Sequence, residues 1–281
     1  MDRTPSRGAA LARAGTSALA LTGALLLVLA GCKASSAAAP SSASPSSASA
    51  SSASPSSASA RAATVSASPG LSIPGTHKAT AVHQISSPVG TLVVVSHVGD
   101  VTVMGGNGPA TSVTEQSSYS KTPPVTTRTL SGRTLTVTYA CPDQLVCAVS
   151  YVVQVPRDVT VQVTAGAGSI RLSGLAGSVT AKADVGLISA TGLTGASVTL
   201  TTSAGSVSAT FATPPVTVRL LARVGAITVR VPVSVSYHVS ANAHVGHATV
   251  SVPQSSSSAR TIIATTDVGA ILIGPVQSMG R

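Results

Sequence analysis

Aromatic and charged residues are scarce in this sequence. Its 281 residues include no Trp, one Phe and four Tyr, and only 9% are Asp, Glu, Lys or Arg. Nucleic-acid binding needs clustered cations and stacking rings, so we expect no nucleic-acid partner. A Gly-x-Ser-x-Gly elbow is absent, and the glycines recur too regularly for a phosphate-binding loop. The sequence therefore predicts neither a serine hydrolase nor a nucleotide cofactor.

The residues that dominate the composition are Ala, Ser, Thr, Val and Gly. The formal net charge is +10, and from Lys33 onward 14 Lys and Arg stand against six acids, which leaves +8. A net positive charge spread at low density over a largely uncharged surface favours anionic partners such as phospholipid headgroups or acidic cell-wall polymers.

The first 31 residues have the pattern of a signal peptide. Residues 1–15 carry three arginines, and residues 16–31 are uncharged and mainly apolar. This apolar segment is shorter than the roughly 20 residues that a permanent transmembrane helix needs. The segment ends in Leu29-Ala30-Gly31-Cys32, which resembles the bacterial lipobox. That resemblance implies a lipid on Cys32 and an extracytoplasmic chain anchored to the outer face of the bacterial cell membrane. The alternative is an ordinary secretory signal with an accidental cysteine.

Residues 32–75 are rich in Ser, Ala and Pro and repeat almost perfectly. Such a segment cannot bury a core, so we expect a disordered tether that averages roughly 35–40 Å from end to end. A helix favoured by the alanines is the alternative, opposed by the prolines and serines. The predicted domains are thus 1–31 signal peptide, 32–75 tether and 76–281 a β-repeat domain.

Two further cysteines, Cys141 and Cys147, flank a short segment that can turn between two strands. In an oxidising extracytoplasmic space this spacing predicts a disulfide across a hairpin. A free thiol pair or a metal site are the alternatives, but no histidine lies nearby in the sequence to complete a metal site.

Glycines recur at intervals of 18, 19, 20, 21 and 23 residues in the second half of the chain. An apolar residue stands two and four positions after most of these glycines, with a polar residue between them, which is the period of a strand with one buried face. A second alternating strand fills each interval. The glycines are Gly168, Gly186, Gly205, Gly225, Gly246 and Gly269, with an earlier relative at Gly99.

Units of about 20 residues with two strands each cannot bury an apolar face alone and must pack on one another. The sequence therefore predicts an all-β fold, a β-solenoid of two-stranded coils, in which Ile170, Ile188, Val207 and Ile227 form one buried column. Residues 76–165 are less regular and are expected to cap the N-terminal end. The alternative fold is an antiparallel β-sandwich.

The recurring Val-Gly-x-Ile and Ser-Ala-Gly-Ser-Val phrases, behind a lipobox, resemble a bacterial family of unknown function whose members are classed as candidate adhesins with β-strand repeats. The resemblance covers roughly residues 85–275. It implies a surface role and brings no catalytic residues to this chain.

The candidate ligand-binding edge lies two residues before the turn glycines. If coils pack in sequence order, Arg223, His244 and Asp267 become neighbours, a cation beside an imidazole beside a carboxylate; simple surface charges are the alternative interpretation. A metal site at His244 and His247, completed by His97 or His238, is disfavoured because the two histidines straddle a corner.

A carboxylate pair for glycoside cleavage requires two acids within roughly 5–9.5 Å. In sequence order Asp184 and Asp267 are four coils apart, about 19 Å. We therefore expect no enzyme, no cofactor and no metal. The expected function is an adhesin-like, lipid-anchored envelope protein that contacts wall polymers, matrix or a surface protein. The alternatives are a carbohydrate-active β-helix enzyme or a partner of an envelope sensor.

Overall fold

The computed structural model describes residues 76–143 and 146–276. Within these ranges the regular structure is entirely β, with 19 strands in two sheets. The same residues contain no helix of the length and hydropathy needed to cross a membrane. The predicted signal peptide, Cys32 and the predicted tether lie outside the described residues.

Seven strands form the less regular N-terminal part. They are β1 (His77–Ile85), β2 (Thr91–Val98), β3 (Val101–Gly106), β4 (Thr111–Tyr119), β5 (Val125–Ser131), β6 (Thr134–Ala140) and β7 (Cys147–Pro156).

Twelve strands follow in pairs, and each pair forms a coil that takes the name of its turn glycine. The Gly168 coil has β8 (Thr160–Ala167) and β9 (Ile170–Ser173), and the Gly186 coil has β10 (Val179–Val185) and β11 (Ile188–Leu193). The Gly205 coil has β12 (Ser197–Ala204) and β13 (Val207–Phe211), and the Gly225 coil has β14 (Thr217–Val224) and β15 (Ile227–Val231). The Gly246 coil has β16 (His238–Val245) and β17 (Ala248–Val250), and the Gly269 coil has β18 (Thr261–Val268) and β19 (Ile271–Pro275). In the N-terminal part, β2 and β3 form the Gly99 coil.

The two strands of each coil belong to different sheets. The first sheet has the order β1-β4-β7-β3-β9-β11-β13-β15-β19-β17, and the second has β5-β6-β2-β8-β10-β12-β14-β18-β16. All coil-to-coil pairs are parallel, whereas β1, β4 and β5 pair antiparallel at the N-terminal end. The predicted solenoid is confirmed and the antiparallel sandwich is excluded for the repeats, because like strands stack side by side.

Apolar side chains of consecutive coils lie over one another in the core. Ile188 is the register partner of both Ile170 and Val207, and Val207 is that of Ile227; all four are buried. The predicted column is therefore present. Small and β-branched side chains suit the narrow space between two sheets about 10 Å apart.

The turn glycines form a second column at one corner. All have positive φ, between 129° and 153°. A Cβ on Gly186, Gly205 or Gly225 would meet the carbonyl oxygen of the glycine in the preceding coil. Glycine is therefore required here both for its backbone conformation and for the close approach of neighbouring corners.

The coils do not follow sequence order at either end. Both β14 and β16 pair with β18, so the Gly269 coil lies between the Gly225 and Gly246 coils. At the other end β2 lies between β8 and β6, which places the Gly99 coil inside the coil of β6 and β7. The sequence-order stacking assumed for the C-terminal coils was wrong, because the chain passes over one position and later returns to fill it.

The predicted disulfide between Cys141 and Cys147 is present, with a Cα–Cα distance of 6.2 Å. It does not close a hairpin, since β6 and β7 belong to different sheets. The disulfide instead closes the connection between β6 and β7, at the same end of the strands as the glycine corners of the other coils.

Candidate functional site

The outer face of the second sheet carries a continuous row of hydroxyl side chains. Thr91 is the register partner of Thr134 and Thr160, and Thr217 is that of Ser197 and Thr261. Ser178 precedes β10 at the same level, and Ser131 pairs with Thr134 at the end. This hydroxyl row consists of Ser131, Thr134, Thr91, Thr160, Ser178, Ser197, Thr217 and Thr261.

The row is regular because the strands are aligned in register, so that one outward residue of each strand lies at the same level. Neighbouring strands are about 4.8 Å apart, so eight residues extend over roughly 34 Å. All eight side chains are half-buried or exposed. The row therefore offers evenly spaced donors and acceptors to an extended ligand.

Two arginines of β14 project from the same face. Arg219 lies beside Thr199 and Ile263, and Arg223 lies two residues before Gly225. Both arginines are exposed. A shallow depression surrounds Arg219, lined also by Thr199, Thr201, Leu221, Ile263 and Thr265.

Most acidic groups already have a basic partner, whereas these arginines do not. Ion pairs join Arg128 to Glu115, Arg171 to Asp100, Lys182 to Asp184 and His244 to Asp267. Among the described residues neither Arg219, Arg223 nor Arg230 forms an ion pair, and all three belong to the Gly225 coil. This coil therefore concentrates uncompensated positive charge.

Arg223, Asp267 and His244, the residues of the predicted ligand-binding edge, lie on three consecutive coils, but in a different order from the one expected. Asp267 lies on the coil between the other two residues, and its Oδ1 is 3.3 Å from Nδ1 of His244. Both side chains of this pair are more than half exposed. The sequence order of a cation beside an imidazole was wrong, because the Gly269 coil occupies the intervening position.

The histidines do not assemble a metal site. His97 belongs to the Gly99 coil, near the opposite end from His244 and His247, and His238 lies at the far end of β16. Residues 76–143 and 146–276 contain no group of three His, Cys, Asp or Glu side chains placed to hold a metal ion.

The acids do not form a catalytic pair on the coils either. The reordered coils place Asp184 and Asp267 three coils apart, about 14 Å rather than the expected 19 Å. This separation still exceeds the roughly 5–9.5 Å that a glycosidase needs. Asp100 is held by the backbone N–H of Ser169 at 2.8 Å and by Arg171 at 3.1 Å.

A buried polar cluster at the N-terminal end was missed from the sequence. Glu115 in β4 is only 4% exposed and accepts a hydrogen bond from Arg128 of β5 at 2.6 Å, with His83 Nε2 3.7 Å away. Burial raises the pKa of the nearby Tyr151 phenol, and the Glu115 carboxylate adds to this effect. The signal was present in the sequence: Glu115 is in phase with the inward residues Thr111 and Val113.

No protein-family model and no curated protein sequence matches the chain. Structural comparison aligns it with a candidate cell adhesion protein from Clostridium sporogenes, with 13% identity and a TM-score of 0.45 over 71% of this chain and 100% of the other. It also aligns with a candidate adhesin from Bacteroides fragilis, with 10% identity and a TM-score of 0.42 over 69% of this chain and 96% of the other. A candidate adhesin from Parabacteroides merdae aligns with 11% identity and a TM-score of 0.23 over 70% and 96% of the two chains.

Proposed function

We propose that the chain is a non-enzymatic, adhesin-like envelope protein that binds anionic cell-wall polymers through the outer face of its second sheet. In this proposal a lipid on Cys32 holds it to the outer face of a bacterial cell membrane. The observation that carries the proposal is the pair of arginines without an ion-pair partner, Arg219 and Arg223, on the same outward face of the second sheet as the hydroxyl row.

The chemistry of this face suits a long, repetitive and anionic ligand. Guanidinium groups bind phosphate or carboxylate oxygens through charge-assisted hydrogen bonds, and the threonine and serine hydroxyls can donate to neighbouring oxygens. The described part of this face has no exposed Tyr, Phe or Trp ring on which a sugar could stack; its outward residues are mostly hydroxyl, aliphatic and basic, with Asp184 and Asp267 as its acids. Recognition would therefore rest on charge and hydrogen bonds distributed along the polymer.

The acid geometry does not favour the alternative of a carbohydrate-active enzyme. Glu115 is buried against Arg128, and Asp100 and Asp184 are each held by a basic side chain. A general acid and a second carboxylate facing a common groove are needed for glycoside hydrolysis. The described acids do not supply this arrangement.

Co-sedimentation of the detergent-solubilised full chain with isolated cell walls tests the proposal. We expect the chain to pellet at low salt and to be released at about 0.5 M salt, where a Debye length of about 4 Å screens exposed charges. The double variant Arg219→Gln, Arg223→Gln should bind about fivefold more weakly, given roughly 0.5 kcal/mol for each exposed charge.

The matched control is Arg230→Gln, which removes a charge from the same coil but from the face of the first sheet. It should bind walls nearly as well as the unmodified chain. If Arg230→Gln lost as much wall binding as the double variant, attraction by net charge alone would explain the binding. If the double variant still bound walls like the unmodified chain, the outer face of the second sheet would be excluded as the binding surface.

A further inference from the structure

The Gly246 coil leaves one end of the core open. β16 and β17 are the edge strands of their sheets, and within the described residues each pairs with a single strand. Residues 253–258 cover only the start of β16, through a bridge between Tyr237 and Gln254 and a hydrogen bond at His238, so the edge is unpaired from Val239 onward. The inward side chains Val239, Ala241 and Ala243 are only half-buried, while the equivalent residues of the inner coils are buried. Unpaired strand edges beside apolar side chains are surfaces that other strands can join.

The opposite end has features that discourage such pairing. Arg128 of the edge strand β5 points inward to Glu115, and the edge strand β1 carries Lys78 and His83. Inward charges and edge lysines keep natural strands from pairing with other molecules. The Gly246 end lacks both features, since residues 231–259 contain no Asp, Glu, Lys or Arg.

Residues 277–281 are by themselves too few to cover this edge. Residues 277–281 continue from Val276, whose N–H donates to Val231 O of β15 in the first sheet. Five extended residues reach at most about 18 Å, whereas the eight residues of β16 extend over about 27 Å in the second sheet.

The N-terminal residues are also poor candidates to cover the open end. They enter the fold at β1, the outermost strand at the opposite end of the first sheet. Their Ser/Ala/Pro composition from 33 to 69 offers few apolar side chains to place against Val239.

We propose that this end is an interface between two copies of the chain. β16 of one copy pairs antiparallel with β16 of the other about a two-fold axis, so that each second sheet continues into its counterpart. A self-complementary surface of this kind closes at a dimer. The uncharged segment matters because two positively charged chains would otherwise repel each other at close range.

The size of the end sets the expected affinity. A strand about 27 Å long and a separation of about 10 Å between the sheets give a contact area of about 270 Å² per copy, roughly 540 Å² for both copies together, which is below the size of stable specific interfaces. We therefore expect a reversible dimer whose population depends on concentration.

Sedimentation velocity of the full chain in density-matched detergent tests the interface. The unmodified chain should shift from monomer to dimer as its concentration rises. Ala241→Lys places an ammonium on the inward side of β16 and should raise the dimer dissociation constant at least about tenfold, because two like charges would face each other. Thr164→Lys, which adds the same charge to the exposed face of β8, should dimerise as the unmodified chain does.

Cross-linking tests the same interface without a destabilising substitution. Ser240→Cys and Asn242→Cys place exposed thiols near the middle of β16, where a two-fold axis brings a residue close to its own counterpart. At least one of them should form a disulfide-linked dimer on oxidation, whereas Thr180→Cys on the exposed face of β10 should not.

Three results would overturn the proposal. The first is a chain that stays monomeric at all concentrations and does not cross-link through β16. The second is a dimer that Ala241→Lys leaves unchanged, which would place the interface elsewhere. The third is a chain that dimerises only after deletion of residues 277–281, which would show that its own C-terminus covers the edge.

Discussion

Single residues at the glycine corner decide whether neighbouring coils can approach. Each corner needs a backbone conformation that side-chain-bearing residues rarely adopt, and it also leaves no room for a Cβ against the next carbonyl. Buried hydroxyls reinforce the corner: Thr202 donates to Gly186 O at 3.3 Å, and Thr266 donates to Gly225 O at 3.0 Å.

We predict that Gly205→Ala lowers the free energy of unfolding by about 3 kcal/mol or more, because strain in φ and a clash with Gly186 O add together. Urea unfolding followed by circular dichroism measures this change. Gly108→Ala is the control, since a Cβ at Gly108 meets nothing within 4 Å. That variant should stay within about 0.5 kcal/mol of the unmodified chain. Equal stability of both variants would contradict the corner's role.

At the residue scale the sequence was informative because the strand period is strict. Alternation identified Ile170 and Ile188 as inward residues, and the spacing of glycines aligned one coil with the next. The same alternation places Glu115 and Thr202 inward, but they were not identified as inward residues because polar side chains are not expected to face an apolar core. Whether an inward polar residue has a partner depends on a strand distant in sequence, as Arg128 of β5 shows.

At the element scale, the antiparallel strands at the N-terminal end depend on the Glu115–Arg128 pair. β5 and β4 belong to opposite sheets, and this contact joins them across the end of the core. A carboxylate 5% exposed is costly to leave without a partner, while the Arg128 side chain, 26% exposed, is partly screened by water.

Arg128→Met should therefore lower the free energy of unfolding by about 2 kcal/mol, less than a fully buried pair would lose. Adding Glu115→Gln should recover most of this loss, because it removes the buried charge left behind. Guanidinium unfolding of both variants measures the difference, with Arg133→Met as a control at an exposed position. If the double variant were no more stable than Arg128→Met, the pair would not be the reason for the loss.

The order of the coils was not predictable from the repeat, because every coil presents the same pattern to its neighbours. Period and spacing specify which residues align, but not which coil lies beside which. The connections carried the available signal: the six residues between Val231 and His238 and the ten between Val250 and Thr261 are longer than the three to five residues that join the preceding coils. Longer connections allow the chain to pass over one position and return.

At the scale of the whole molecule, the coil that comes last in the chain is not the coil at the end of the stack. The Gly269 coil is nearest the C-terminus in sequence but has a coil on each side, while the Gly246 coil has a neighbour on one side. Repeat folds are stabilised by nearest-neighbour interfaces and open from their ends. The Gly246 coil should therefore open first.

Hydrogen exchange tests this order directly. At a concentration where the chain is monomeric, amides of β18 should exchange at least about tenfold more slowly than those of β16, which corresponds to about 1.4 kcal/mol of additional opening free energy. Amides of β12, in the middle of the second sheet, provide the fully protected reference. A fold stacked in sequence order would give the reverse result, because β18 would then be the outermost strand and β16 would be enclosed by β14 and β18. Slower exchange in β16 than in β18 would therefore exclude the interleaved order and, with it, the open end at Gly246.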